Sequence, residues 1–244
     1  LGSNPAGQIS FDGTRLVTGG AINIAGGSVT LEEARLVSES ATGNSGDIIV
    51  ESDGLTIREG QLRTESTAGN AGLIIVSSKN PIVIENPSVT PDSGEGLDRG
   101  EFIDSIRDRD VAFGDETGLF SLAKGGGKTG GITIAGPSVT LKSAGFYSMT
   151  SKGDTGNLGV SGNISIRTGS AILENARVQL GSGLAPNPTG EISLQAQNGL
   201  SLAKQSYLSS ESGLDISGGV AIVEGSLVES KFSKVNVEGG MKMS

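Results

Sequence analysis

Short segments in which apolar and polar residues alternate recur along the chain, separated by turn-forming residues. The pattern is clearest in four stretches, which begin at Gly20, Gly46, Gly130 and Gly162. Each reads glycine, any residue, apolar, any residue, apolar, and after four intervening residues a second apolar-any-apolar segment follows. A third segment then opens with an apolar residue. Alternation with a period of two predicts three short β-strands in every unit.

The apolar positions fall into three columns when the units are aligned. The first strands contribute Ile22 and Ile24, Ile48 and Val50, Ile74 and Val76, Ile132 and Ile134, Ile164 and Ile166, Ile192 and Leu194, Leu214 and Ile216, and Val235 and Val237. The second strands contribute Val29 and Leu31, Leu55 and Ile57, Ile82 and Ile84, Val139 and Leu141, Leu200 and Leu202, and Val220 and Ile222. The third strands open with Leu36, Leu62, Phe146, Val178, Tyr207 and Leu227. Continued alternation also turns hydroxyls such as Ser38, Thr64 and Ser148 inward, where we expect them to hydrogen-bond.

The spacing of the units indicates stacked coils. Units begin near residues 7, 20, 46, 72, 130, 162, 190, 212 and 233, so the strands stay constant while the turns vary in length, as in a solenoid. The sequence therefore predicts an all-β chain, a three-sided parallel β-helix of about eight coils with one inserted loop or short helix. Coils are expected at 1–91 and 130–244, with the insertion at 92–129. A β-sandwich or barrel stays open as an alternative, because Asp53-Gly54 and Asn198-Gly199 are hairpin-type turns.

Composition narrows the classes of function. A net charge of −9 disfavours nucleic acid and anionic membranes as partners, and no apolar run is long enough to span a membrane. The chain has no His and no Cys, which excludes catalytic triads and zinc sites that use them. Aromatic residues, on which sugars usually stack, make up only 3%. We therefore expect no enzyme and no cofactor. The alternative is a carbohydrate-active β-helix that uses paired carboxylates, either a polysaccharide lyase or hydrolase or a phage tailspike-like protein.

The insertion holds the candidate site residues. Within it, acidic residues suggest a weak metal site for Ca²⁺ at Asp104, Asp108 and Asp110. Its phenylalanines suggest a partner-binding surface of Phe102, Phe113 and Phe120. The alternative is a short helix that starts near Asp98 and lies on the solenoid, with its phenylalanines packed and its charges solvated. The glycines at 125–127 predict a flexible return from the insertion, because they lack the spacing of a phosphate-binding loop.

The repeat resembles that of a known family. The stretch Thr42-GNSGDIIVESDGLTIREGQLRTESTAGNAG is similar to repeats of the filamentous haemagglutinin family, the large exoproteins of two-partner secretion found in cyanobacteria and other Gram-negative bacteria. The likeness covers about residues 20–85 and 130–230, and is strongest where Gly43-Asn44-Ser45-Gly46 and Gly69-Asn70-Ala71-Gly72 precede a strand. It implies a right-handed β-helix that an outer-membrane barrel transporter carries to the cell surface or beyond.

The resemblance also implies a function. We expect a structural or adhesive segment of a secreted or surface-displayed bacterial fibre, which binds a host or neighbouring cell surface or other copies of itself. The chain opens at Leu1, and its coils at 7–19 and 233–244 are incomplete. Unpaired strand edges invite further pairing, so we expect either a longer parent chain or end-to-end assembly.

Overall fold

A computed structural model describes residues 7–89, 116–150, 159–181, 190–204, 206–210, 213–222, 226–230, 235–238 and 241–243. These residues contain no helix that is long and apolar enough to cross a membrane. The strands in chain order are β1 (Ile9–Asp12), β2 (Arg15–Thr18), β3 (Ile22–Ala25), β4 (Ser28–Glu32), β5 (Arg35–Ser40), β6 (Ile48–Ser52), β7 (Gly54–Arg58), β8 (Gln61–Ser66), β9 (Ile74–Ser78), β10 (Ile82–Glu85), β11 (Gly118–Ala123), β12 (Ile132–Lys142), β13 (Gly145–Thr150), β14 (Ile164–Glu174), β15 (Arg177–Gly181), β16 (Glu191–Ala196), β17 (Leu200–Ala203), β18 (Tyr207–Ser210), β19 (Gly213–Ser217), β20 (Val220–Ile222), β21 (Leu227–Ser230), β22 (Val235–Glu238) and β23 (Met241–Met243).

The strands stack into three parallel ladders that run the length of the molecule. The first ladder is β3-β6-β9-β12-β14-β16-β19-β22, and the second is β1-β4-β7-β10-β12-β14-β17-β20-β23. The third is β2-β5-β8-β11-β13-β15-β18-β21. Strands β12 and β14 belong to two ladders because each runs through the corner between them. Every pairing among the described strands is parallel, which confirms the parallel β-helix and excludes the sandwich or barrel.

The predicted aliphatic columns form the core. Ile48 pairs with Ile74, and Val50 pairs with Val76, in successive coils, and all four side chains are fully buried. Like residues therefore lie over one another about 4.8 Å apart. Burial of a side chain of this size contributes roughly 1.5–3 kcal/mol, so the repeated ladders account for most of the hydrophobic stabilisation.

Hydroxyl groups extend the core along the third ladder. The Thr64 hydroxyl donates to the Gly72 carbonyl at 2.7 Å, and the Ser121 hydroxyl reaches the same oxygen at 3.0 Å. The Ser148 hydroxyl donates to the Gly162 carbonyl at 2.9 Å. The predicted inward orientation is confirmed, and these hydroxyls satisfy carbonyl groups at the corner where the third strand returns to the first.

That corner explains the recurrent glycine-asparagine motif. The Asn44 side-chain oxygen accepts a hydrogen bond from the Asn70 backbone N–H at 2.9 Å, and the Asn70 side chain accepts one from the Lys128 N–H at 2.8 Å. Successive corners are thus linked along the helix axis. A Cβ atom on Gly72 would lie 2.2 Å from the Gly46 carbonyl oxygen, so only glycine allows the corners to approach this closely.

The corner between the second and third ladders turns on a single residue with positive φ. Its φ lies between 47° and 54° in six coils, at Gly13, Glu33, Glu59, Ser143, Asn175 and Lys204. Each of these residues directly follows the last residue of a second-ladder strand segment. The left-handed conformation turns the chain from the second ladder towards the third within a short corner.

The third ladder corrects two positions of the predicted core. Tyr207 pairs with Arg177 and with Leu227, whereas Leu208 pairs with Val178 and carries the buried side chain. The prediction that Tyr207 and Leu227 open the inward column is therefore wrong by one residue. The cause is the preceding corner, which has three residues between Ala203 and Tyr207 but only two between Glu174 and Arg177. One additional residue reverses the alternation.

The coil resumes within the stretch assigned to the insertion. Strand β11 pairs with both β8 and β13, and Leu119 stacks on Leu62 and Phe146 in the core. Residues 125–129 form a regular corner beneath the next coil, and the Ala71 N–H donates to the Lys128 carbonyl at 2.8 Å. The predicted end of the insertion at residue 129 is therefore too late. The insertion instead separates the second and third strands, β10 and β11, of a single coil.

Candidate functional site

Most of the predicted site residues lie outside the described residues. This applies to Asp104, Asp108 and Asp110, the candidate metal ligands, and to Phe102 and Phe113 of the candidate partner surface. Among the residues that the structure does describe, no group of three or more acidic side chains is arranged to hold a metal ion.

Phe120 is described, and it is fully buried. It faces outward from the third ladder, where its ring stacks on Tyr147 with centroids 5.3 Å apart and an interplanar angle of 9°. Leu122 and Met149 complete a separate apolar cluster on this outer face, each no more than 5% exposed. The prediction that Phe120 contacts a partner does not agree with this burial. Phe120 instead packs on β13 and stabilises β11, the third strand of the coil that the insertion interrupts.

A buried acid lies beside this cluster. The Tyr147 hydroxyl donates a hydrogen bond to the Glu116 carboxylate, where the chain returns from the insertion. Burial raises the pKa of Glu116, although the hydrogen bond and the nearby Arg177 favour its charged form. Burial also raises the pKa of Tyr147 well above its ordinary value. The Gln61 side-chain amide also donates a hydrogen bond to the Glu116 backbone carbonyl at 2.6 Å, which fixes Glu116 beside Tyr147.

A groove lined by both polar and apolar surface lies at the corner between the first and second ladders, and we call it the corner groove. It crosses four coils and has a volume of about 780 Å³, within the usual size of ligand sites. Its lining is Gly136, Pro137, Arg167, Thr168, Gly169, Gln195, Ala196, Gln197, Asn198, Ser217 and Gly218.

Two long strands form the floor of the corner groove. Strands β12 and β14 each run for 11 residues through the corner without a break. The backbone is closely stacked at this point, because a Cβ atom on Gly169 would lie 2.5 Å from the Pro137 carbonyl oxygen. The floor is therefore low, with no side chain at Gly136 or Gly169.

The next coil supplies a wall. Three residues separate Ala196 from Leu200, whereas two separate the paired residues Thr168 and Ala171 of β14. The one additional residue allows a turn at Gln197 and Asn198. The Gly199 N–H closes this turn by donating a hydrogen bond to the Ala196 carbonyl at 3.1 Å. The Asn198 N–H donates to the Gly169 carbonyl at 2.6 Å, so the turn is fixed to the floor.

An outward-facing column borders the groove. Ala135, Arg167, Gln195 and Ser217 pair in register across four coils, at a spacing of about 4.8 Å. Arg167 and Gln195 are exposed. No carboxylate among the described residues forms an ion pair with Arg167, in contrast to Arg58, which pairs with Glu85 at 2.7 Å. The groove thus combines one uncompensated guanidinium with three side-chain amides.

Sequence reasoning missed the corner groove. It concentrated on the inward-facing columns and on the insertion, whereas the Arg167 column follows the second apolar residue of each first strand. Two signals were available in the repeat alignment. Arginine occurs only once in this column of the described coils, and the Asn198-Gly199 corner is longer than its neighbours.

No protein-family model, curated protein or solved structure matches the chain.

Proposed function

We propose that this chain is a shaft segment of a secreted or surface-displayed fibre, which holds an adhesive surface away from the cell. The observation that carries the proposal is the continuity of the three parallel ladders. Each coil's backbone groups pair with the coils above and below, so bending the rod would break hydrogen bonds in several ladders at once. Continuous aliphatic and hydroxyl columns stabilise the same axis.

The surface supports a binding role more than a catalytic one. A carbohydrate-active β-helix would need two opposed carboxylates at a sugar cleft. The corner groove offers polar side chains suited to sugars, and its 11 lining residues include no Asp or Glu. Release of reducing ends from a polysaccharide incubated with the chain would favour the enzyme alternative instead.

The proposed location rests on the resemblance of the repeats to filamentous haemagglutinin. We propose export through an outer-membrane barrel transporter to the surface or exterior of a Gram-negative bacterium, a cyanobacterium among them. The absence of Cys agrees with export of an unfolded chain, because no disulfide has to be opened or formed. The ladders then form outside the cell, coil upon coil.

A bead-retention assay tests the adhesive function. Beads carry the full chain, coupled through a terminal tag, and flow over epithelial monolayers and lawns of Gram-negative bacteria. We expect several-fold more beads to be retained by at least one of these surfaces than with the Ile48→Asp variant. Ile48 is fully buried, and an unpaired carboxylate at this position disrupts the core.

The matched control is a substitution on the same strand that leaves the chain folded. Glu51→Gln lies two strand positions after Ile49 on the exposed side of β6, and it should leave both folding and retention unchanged. Equal retention of beads that carry the chain and beads that carry Ile48→Asp, on every surface tried, would overturn the adhesive function.

A further inference from the structure

We propose that the corner groove binds an acidic polysaccharide in which uronate residues alternate with neutral sugars, with Arg167 pairing with a uronate carboxylate. The inference deepens the proposed function and rests on it for the biological role of the bound glycan. It does not depend on residues 90–115, because the groove is built entirely from described parts of the chain.

The guanidinium defines the charged part of the ligand. Several basic side chains already form ion pairs within the chain. Their nitrogen atoms lie within 3.8 Å of a carboxylate oxygen at Arg58, Lys79, Lys124, Lys142 and Lys204. Arg167 has no such partner among the described residues and projects at the border of the groove. A planar guanidinium pairs with a carboxylate through two parallel hydrogen bonds, which selects a carboxylate over a neutral hydroxyl.

The amides define the neutral part. Gln195, Gln197 and Asn198 are exposed along the column and the wall, and each offers both donors and an acceptor. Sugar hydroxyls also act as both donor and acceptor, so they match amides better than a purely cationic or anionic surface would. The low floor at Gly136 and Gly169 leaves room for an extended chain to lie along the helix axis across four coils.

Other occupants fit less well. The groove lining contains no aromatic or large aliphatic anchor, on which protein interfaces depend and on which sugar rings also often stack, so its ligand must be held by polar contacts. A polyanion with a charge on every unit, such as nucleic acid, is repelled by the net charge of −9 and meets a single guanidinium in the groove. Carboxylates separated by neutral sugars reduce that repulsion and retain the pairing with Arg167.

Calorimetric titration with hyaluronan octasaccharide tests the inference, since this glycan alternates glucuronate with a neutral amino sugar. We expect binding at low salt that weakens as salt is added. The carboxyl-reduced octasaccharide should bind at least tenfold more weakly, and Arg167→Gln should lose at least tenfold in affinity for the unreduced form. The matched control is Arg58→Gln, on the second ladder and away from the groove, which should bind like the unaltered chain.

The outcomes separate this inference from the proposed function. Equal binding of the two octasaccharides, unchanged binding by Arg167→Gln, or binding of heparin fragments alone would each overturn the uronate site. If beads adhere equally well with Arg167→Gln, the adhesive function stands and the groove is not its site. If the octasaccharide binds through Arg167 but beads never adhere, the site stands and the adhesive function fails. Circular dichroism of each variant verifies that it remains folded.

Discussion

The corner between the second and third ladders repeats one backbone conformation with different residues. Six described coils use a positive φ at this position, and the residues are a glycine, two glutamates, a serine, an asparagine and a lysine. Left-handed backbone costs an L-residue roughly 1–2 kcal/mol, and asparagine tolerates it best after glycine. Four of these six corners therefore carry strain, which glycine avoids at Gly13 and asparagine reduces at Asn175.

Replacement of Glu33 by Asn tests this strain. Glu33 is exposed and has φ near 49°, so we expect Glu33→Asn to raise the free energy of unfolding by about 0.5–1 kcal/mol. Urea denaturation at neutral pH measures the change. The control is Glu32→Asn, one residue earlier in strand β4, where asparagine disfavours the strand and should be neutral or slightly destabilising. A gain of equal size in both variants would show that charge, and not φ, is responsible.

At this scale the sequence predicted most of the inward-facing residues. Where the structure describes burial, the first-ladder and second-ladder columns were right because alternation with a period of two within each strand fixes which side chains face the core. Tyr207 and Leu227 were assigned wrongly because a corner can gain one residue without any change in the strand pattern. Leu119 was missed because the insertion ends directly before its strand, so no preceding repeat was available to align it.

At the scale of single elements, strand β11 connects the insertion to the rest of the coil. It joins β8 and β13 in the third ladder and carries apolar side chains on both faces, with Leu119 inward and Phe120 outward. Period-two alternation cannot predict such a strand, because both faces are buried. Glu116 lies two residues before the strand begins, and its carboxylate accepts a hydrogen bond from Tyr147 of the neighbouring strand.

Glu116 makes the stability of this element depend on pH. Burial raises its pKa in the folded chain, so the folded state holds the proton more tightly than the unfolded state. Its contribution to the free energy of unfolding is complete below the ordinary carboxyl pKa of about 4.3. That contribution is lost as the pH rises through the raised folded value. Glu116→Gln has no such proton, so we expect its stability relative to the unaltered chain to increase with pH across that window and then to level off.

Urea denaturation at a series of pH values measures this difference, and Tyr147→Phe provides the control. The tyrosine hydroxyl favours the charged carboxylate, so its removal should extend the window to higher pH. Parallel stability profiles for Glu116→Gln and the unaltered chain would contradict the prediction, because they would mean that Glu116 titrates equally in both states.

At the scale of the whole molecule, the fold was predictable and the groove was not. Repeat spacing determines a solenoid because the same columns must stack in every coil, and the parallel ladders bear this out. The corner groove arises where neighbouring corners differ, with straight strands at β12 and β14 and a longer turn at Gln197 and Asn198. Aligning the repeats to find the fold averages out these differences between corners. The same differences form the corner groove, so the alignment could not reveal it.

Duplication of one coil tests whether the molecule is an extendable shaft. Residues 46–71 contain one strand of each ladder, and each strand pairs in register with the following coil, so a second copy inserted after Ala71 has matching neighbours on both sides. We expect the maximum dimension in small-angle scattering to increase by about 4.8 Å. The free energy of unfolding and its urea dependence should also rise, since one more interface between coils is added. A glycine-serine linker of equal length, inserted at the same point, supplies no strands and should give neither the ordered increase in length nor the gain in stability. If the linker variant proved as stable as the duplication, stacking between neighbouring coils would not be what stabilises the rod.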